Sequence, residues 1–236
     1  MKLVAAVCAA AVAVTVSSCT LAGKSGAMQS YDFDSIKPDP VIAAMVPQAN
    51  RDSLRVAMEL HYSPAEFLDD ANQPVGYEVD VIKALAKLMG IKEVQFVDED
   101  FDSIIPKVNE GTDDLGMAAL TLNKERMRQG NMVSYVEAGY SYATQRDNPK
   151  NFDAVSPCGF TVAVQSDTTQ AETLQAASDE CVSIGKSPVT IIAEADQDKL
   201  ISQVAQGSID AIIGETPILA YNQEKYKNFC DGWGSL

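Results

Sequence analysis

Histidine is nearly absent from this chain and positive charge is scarce: one histidine and 18 lysines and arginines stand against 33 acidic residues, a formal charge of −15. With His61 alone, a metal site built on several imidazoles is excluded, and a His-based triad would have to use that one residue. The acidic balance argues against a nucleic-acid binder, whose affinity comes from clustered Lys and Arg. The most apolar stretch, residues 1–18, holds about fourteen mostly apolar residues, too few to cross ~30 Å of hydrocarbon comfortably. What is present is core material. Hydrophobic residues make up 46% of the 236 and charged ones 22%, which excludes a wholly disordered chain. That length allows one large domain or two modest ones.

The first residues read as an address. Residues 1–18 open with a lysine, continue Ala/Val-rich and end in Ser17-Ser18, the composition of a secretory signal. Val16-Ser17-Ser18-Cys19 resembles the lipobox of bacterial lipoproteins, which implies lipidation of Cys19 as the mature N-terminus. The alternative is an ordinary cleaved signal with a chance cysteine. Residues 19–51 show no sustained period and are expected to form a flexible tether holding the rest off a membrane. Export also permits disulfides. Cys158 and Cys181 flank one strand–helix unit, so a bridge between them is expected; closing ~24 residues contributes roughly 3 kcal/mol in the loop-entropy model. Cys230 is left without an assignment.

From Leu54 onward, strand and helix alternate. Leu54–Met58, Val94–Val97 and Asp114–Leu120 read as strands. Ile82, Leu85 and Met89 share a helical face within Glu78–Met89, and Phe101, Ile104, Ile105 and Val108 mark a second helix ending at Gly111. Asn123 is a good N-cap for a short helix through Arg128. The second half repeats the pattern: strands at Phe160–Val164, Val189–Ala193 and Ile209–Ile213, helices at Thr168–Ala177 and around Leu200–Ala205, then another helical stretch. Val108–Thr121 and Val204–Thr216 echo each other as helix end, glycine, aspartate, apolar strand, threonine. The expectation is an α/β protein of two lobes with mostly parallel sheets and a cleft between them.

In open α/β sheets the carboxyl ends of strands and the N-termini of helices face a crevice. The echoed segments deliver Thr121 and Arg126 to it from one half, Glu215 and Thr216 from the other. A guanidinium facing a carboxylate across a cleft suits a zwitterion, since each takes one pole. From spacing alone an equally good reading leaves Arg126 as a solvated helix-end charge and Glu215 as a first-turn acid favoured by the helix dipole. His61 reads as a surface or loop residue.

Several ordered blocks carry a resemblance. Leu54-Arg55-Val56-Ala57-Met58-Glu59, Tyr62-Ser63-Pro64-Ala65-Glu66-Phe67, Gly76-Tyr77-Glu78-Val79-Asp80, Phe101-Asp102-Ser103-Ile104-Ile105-Pro106, Leu120-Thr121-Leu122-Asn123-Lys124-Glu125-Arg126, Val162-Ala163-Val164-Gln165-Ser166 and Gly207-Ser208-Ile209-Asp210-Ala211 together resemble the amino-acid substrate-binding proteins of bacterial ABC importers, the family 3 solute-binding proteins. The likeness covers roughly residues 52–229. It implies a type II periplasmic-binding fold, with lobe 1 at 52–140, a hinge strand at 141–147 and lobe 2 at 148–236. It further implies a non-catalytic, monomeric receptor that takes no metal or cofactor and no nucleic acid. Such a receptor binds a polar or basic L-amino acid at the outer face of the cytoplasmic membrane, lipid-anchored, and delivers it to an ABC transporter permease.

By the same resemblance, Arg126 binds the α-carboxylate with Thr121 and second-lobe amides near Thr168 and Thr169. Glu215 stands where the family usually has Asp on the α-ammonium, and Ala119 where Gly is common. Tyr62 and Phe101 match aromatic walls; plain core is the alternative. Glu59 matches the position reading the ligand's side chain, where an anion favours an amide, ammonium or guanidinium. Asp167 falls where the family often has Gly, which would set an acid near the proposed carboxylate; the preferred expectation is that it caps the following helix. Ala65 replaces a usual Phe. The Cys158/Cys181 pair also looks like that of related members. Family members return to the first lobe after the point where this sequence stops, so an apparent C-terminal truncation is expected, with exposed apolar surface on lobe 1. Rival readings are a cyclohexadienyl-dehydratase-like enzyme on the same fold and a non-functional fragment.

Overall fold

Strand β1 (Ser53–Met58) organises the first half of the chain, and the parallel strand β5 (Glu93–Asp98) lies on one side of it. The computed structural model describes residues 31–232; the signal segment 1–18 and Cys19 lie outside the described residues. Before β1 comes a short helix, α1 (Pro40–Met45). After it come three small strands, β2 (His61–Tyr62), β3 (Glu66–Leu68) and β4 (Pro74–Val75), which form their own antiparallel sheet. Helix α2 (Tyr77–Met89) leads into β5, and α3 (Ile104–Glu110) into β6 (Leu115–Gly116), the strand on the other side of β1; α4 (Arg126–Gln129) closes the lobe. Gly90 and Gly111 end α2 and α3 in the left-handed conformation that glycine adopts at no steric cost.

The second half is a five-stranded sheet. In chain order it contains β7 (Tyr140–Gln145), β8 (Thr161–Gln165), α5 (Thr169–Ser183), β9 (Thr190–Glu194), α6 (Gln197–Ala205), β10 (Ala211–Glu215), α7 (Thr216–Lys225) and β11 (Phe229–Gly232). The strand order is β11-β7-β10-β8-β9, with β8, β9 and β10 parallel and β7 antiparallel to both its neighbours. Side chains alternate between two cores. Val162, Val164, Ala211 and Ile213 pack with Leu174 of α5, while Ala163 and Ile212 pack with Leu200, Val204 and Leu219 of α6 and α7. A sheet covered on both faces explains why β8 and β10 read as continuous apolar runs. Cys158 and Cys181 form a disulfide that ties the approach to β8 to the far end of α5.

Two expectations change. Residues 33–50 are not a free tether but are folded onto lobe 1. Asp39 caps α1 by accepting from the Val41 and Ile42 amides, Pro40 occupies its first position, and Val46 is buried with Ala86 and Ile91. The Asp39-Pro40 pair is a helix-start signal that composition alone did not weigh. The expected strand Asp114–Leu120 is reduced to two residues, because β6 pairs only with β1 and the chain then turns away to approach the second lobe.

The lobes are drawn together. Asn222 of α7 donates to the Ser63 carbonyl at 3.3 Å, and the Ser63 hydroxyl donates to Asp198 at 3.2 Å. Ile218 of α7 is fully buried against Tyr62 and Ala65. No described helix is long and apolar enough to cross a membrane.

Candidate ligand-binding site

The strands of both lobes end toward one another, and a small cavity lies between their ends. From lobe 1 it is lined by Glu59 just past β1, Tyr62 of β2, Phe101, Ala118, Ala119, Thr121 and Arg126. From lobe 2 come Gln165 at the end of β8, Thr168 and Gln170 at the start of α5, and Glu215 at the end of β10. The space left is about 10 Å³, room for about one water. Arg126 and Glu215 therefore border one gap from opposite sides.

Arg126 is fixed by its surroundings. Asn123 caps its turn, accepting from the Arg126 amide at 2.8 Å. The guanidinium donates to the Thr121 carbonyl at 3.1 Å and across the cleft to the Asp167 carbonyl at 3.2 Å, and it lies 5.2 Å from the centre of the Phe101 ring. A planar cation on an aromatic face keeps its orientation while losing water. Phe101 is thus both wall and platform.

Glu215 is the N-cap residue of α7, but its side chain makes no capping bond to the helix. Burial, helped by Glu78 and opposed by Arg126, raises its carboxyl to about 7. Glu59 is buried, and burial pushes it up to about 8, against the pull of a hydrogen bond from Gln165 and with a further push from Asp196, Asp98 and Asp198. That bond spans the lobes: Gln165 Nε2 donates to Glu59 Oε2 at 2.9 Å and to the Ala195 carbonyl at 3.1 Å.

Other expected residues fall in different places. Thr168 borders the cavity and caps α5, its hydroxyl accepting from the Ala171 amide at 3.2 Å. The cap is thus not Asp167, which sits one residue earlier with φ 61° and lends its carbonyl to Arg126. A left-handed backbone there suits a position where glycine is common; Ala119, at φ 45°, is the same case on the other lobe. Thr169 lies outside the inner cavity. Its hydroxyl donates to Thr121 Oγ1 at 3.3 Å and pairs with the Tyr140 hydroxyl, and it borders a wider outer cleft of about 800 Å³ shared with Arg126, Asp167 and Glu172. His61 is half-exposed, with Nε2 3.6 Å from Asp98 on the surface. Among the described residues no group of His, Cys, Asp and Glu is placed to hold a metal.

Sequence reasoning missed Gln165 and Gln170 as cavity residues, and Glu66 and Glu78 as buried acids. Gln165 had a usable signal: it is a polar side chain ending the mostly apolar strand β8, at the carboxyl end where a crevice is expected. Glu66 and Glu78 had none, because their burial depends on how the small sheet folds over α2.

Residues 54–187 match the model of the bacterial extracellular solute-binding proteins, family 3. The arginine-binding protein ArgT of Corynebacterium glutamicum is 34% identical over 221 residues, covering 91% of this chain and 71% of that protein. An ancestral arginine-binding protein bound to arginine matches with a TM-score of 0.66 at 27% identity, over 77% of this chain and 78% of its own. An ancestral amino acid-binding protein described as a precursor of cyclohexadienyl dehydratase matches with a TM-score of 0.65 at 27% identity, over 75% and 76%.

Proposed function

Since this chain belongs to the bacterial extracellular solute-binding proteins of family 3, we infer that it binds an L-amino acid with a cationic side chain, arginine before others, and delivers it to an ABC transporter permease. The observation that carries this reading is that Arg126 and Glu215 border one cavity from opposite lobes. Arg126 takes the α-carboxylate as a forked donor, Glu215 takes the α-ammonium, and Glu59 takes the far end of the ligand in exchange for Gln165. A guanidinium or ammonium fits there because Asp98, Asp196 and Asp198 surround Glu59 with negative charge. The names of the relatives support the same choice.

A space of about 10 Å³ admits no amino acid, so entry requires the lobes to part and the Glu59–Gln165 bond to break. A ligand that touches both lobes then favours reclosure, because the open form offers it only half of these contacts. Lipidation at Cys19, removal of residues 1–18 and action as a monomer at the outer face of the membrane belong to this reading, and the mass of the mature N-terminal peptide tests the first two.

The deciding experiment is a thermal-shift screen of the twenty amino acids followed by calorimetry. Ligand at 100 times its dissociation constant adds about 2.7 kcal/mol of stability. A response to arginine supports the reading; silence toward all twenty overturns it. Arg126→Ala is expected to weaken binding about 100-fold, through loss of a charge-assisted fork worth roughly 3 kcal/mol. A second reading, a dehydratase using Glu59 or Glu215 as general acid, draws on their raised carboxyls. Consumption of prephenate or arogenate would favour it.

A further inference from the structure

Two buried carboxyls behind the cavity have no part in the ligand contacts above. Glu66 of β3 and Glu78 of α2 are both fully buried, and neither borders the cavity. Glu78 sits in the first turn of its helix, and the sequence there is pinned to the small sheet: the Tyr77 amide donates to the Pro64 carbonyl at 3.1 Å and the Glu78 amide to that of Ala65 at 3.0 Å. Gly76 permits this approach, since a Cβ there would lie 2.2 Å from the Ala65 oxygen. The Glu78 carboxylate is thus held rigidly.

What it holds in turn is Ala119. The Ala119 amide donates to both Glu78 oxygens, at 3.1 and 3.2 Å, and the Tyr135 hydroxyl donates to the same group. Ala119 borders the cavity with φ 45°, a conformation that alanine avoids unless its surroundings impose it. Ala119 packs against the cluster of Tyr62, Ala65 and Ile218. The amide bond to Glu78 sets the peptide orientation, and with it the path of the chain toward Thr121 and Arg126. Burial, with Glu78 beside it, raises the Glu66 carboxyl well above the usual carboxylate range.

We propose that Glu78 is a positioning residue of the binding site: it accepts the Ala119 amide, holds Ala119 left-handed, and so places the 119–121 segment against the ligand without touching it. This rests on the amino-acid-binding reading only for its affinity readout. In the full chain, Glu78→Ala is expected to weaken arginine binding about tenfold, while Glu78→Gln, which keeps an acceptor of the same shape, costs about threefold or less. Glycine at 119 adopts the required backbone without strain, so Ala119→Gly should recover affinity in the Glu78→Ala background by a larger factor than it changes affinity in the wild type. If Ala119→Gly has the same effect in both backgrounds, the two residues act independently and the proposal fails.

A readout that needs no ligand separates this failure from that of the function. In the ligand-free protein, the Ala119 amide proton should resonate downfield and exchange slowly, and Glu78→Gln should move it upfield. An Ala119 amide unaffected by Glu78→Gln overturns the proposal, whatever the protein binds. Silence toward all amino acids with a shifted Ala119 amide overturns the function but supports the contact.

Discussion

The two lobes are built from echoed sequence, yet the echo ends in different structures. Gly207, Asp210 and an apolar run produce β10, five buried residues with β7 on one side and β8 on the other. Gly111, Asp114 and a similar run produce β6, two residues long and paired only with β1, with Leu115 left 37% exposed. Lobe 1 also exposes Leu122, Val133 and Val136. The lesson is that an apolar run specifies a strand only where neighbours are available to pair with it. Hydrogen bonds and burial on both sides extend the strand; a single neighbour leaves the chain free to serve the site instead.

The comparison can be broken most directly in the cores. Ile213→Ala in β10 is expected to cost about 4 kcal/mol by chemical denaturation, whereas Leu115→Ala in β6 should stay within about 0.5 kcal/mol. Similar losses at both positions would mean that the two strands are equally supported. Next in size is the covalent tie, which among the described residues only lobe 2 has. Replacing Cys158 and Cys181 together by serine should lower stability by roughly 3 kcal/mol, and limited proteolysis should then cut lobe 2 before lobe 1.

Protons sharpen the comparison further, because each lobe brings one raised carboxyl to the cavity. With Glu59 at about 8 and Glu215 at about 7, the folded ligand-free protein holds protons that the unfolded chain has released above its ordinary carboxylate range. Stability without ligand should therefore fall as pH rises from about 5 to 8, read as a falling melting temperature. Arginine binding should strengthen over the same range, since a cationic ligand requires the ionised carboxylates. Glu59→Gln is expected to remove the upper part of this dependence and Glu215→Gln the lower part. A flat profile for both melting and binding would refute the assignment.

The smallest effect concerns the left-handed Ala119 and Asp167, one on each lobe. Ala119→Gly should stabilise the ligand-free protein by up to about 1 kcal/mol, and Asp167→Gly by less, because aspartate tolerates that backbone better than alanine. Equal gains at the two positions would show that residue type there is immaterial.

Much of this molecule is written locally. The order of strands and helices and the glycine stops after α2 and α3 follow from short-range periodicity and capping, while Asn123 stands one turn short of the expected cap position, since the helix begins at Arg126 after Glu125. Among the site residues, Glu59, Tyr62, Phe101, Ala119, Thr121, Arg126, Thr168 and Glu215 border one cavity because each stands at or just beyond the end of a strand or at the start of a helix. The cap of α5 falls on Thr168 and not on Asp167 because two potential caps stand side by side, and the backbone, left-handed at 167 and extended at 168, decides between them.

By itself the sequence determined the chemistry on offer: a guanidinium, several carboxylates, aromatic walls and an α/β frame to carry them. The tertiary structure alone decided how these groups meet. Gln165 reaches Glu59 over 106 positions of chain and Glu78 reaches Ala119 over 41. Protonation near neutral pH likewise arises only once Glu59 and Glu215 lose their water to the opposite lobe, since desolvation depends on what surrounds a group rather than on its neighbours along the chain.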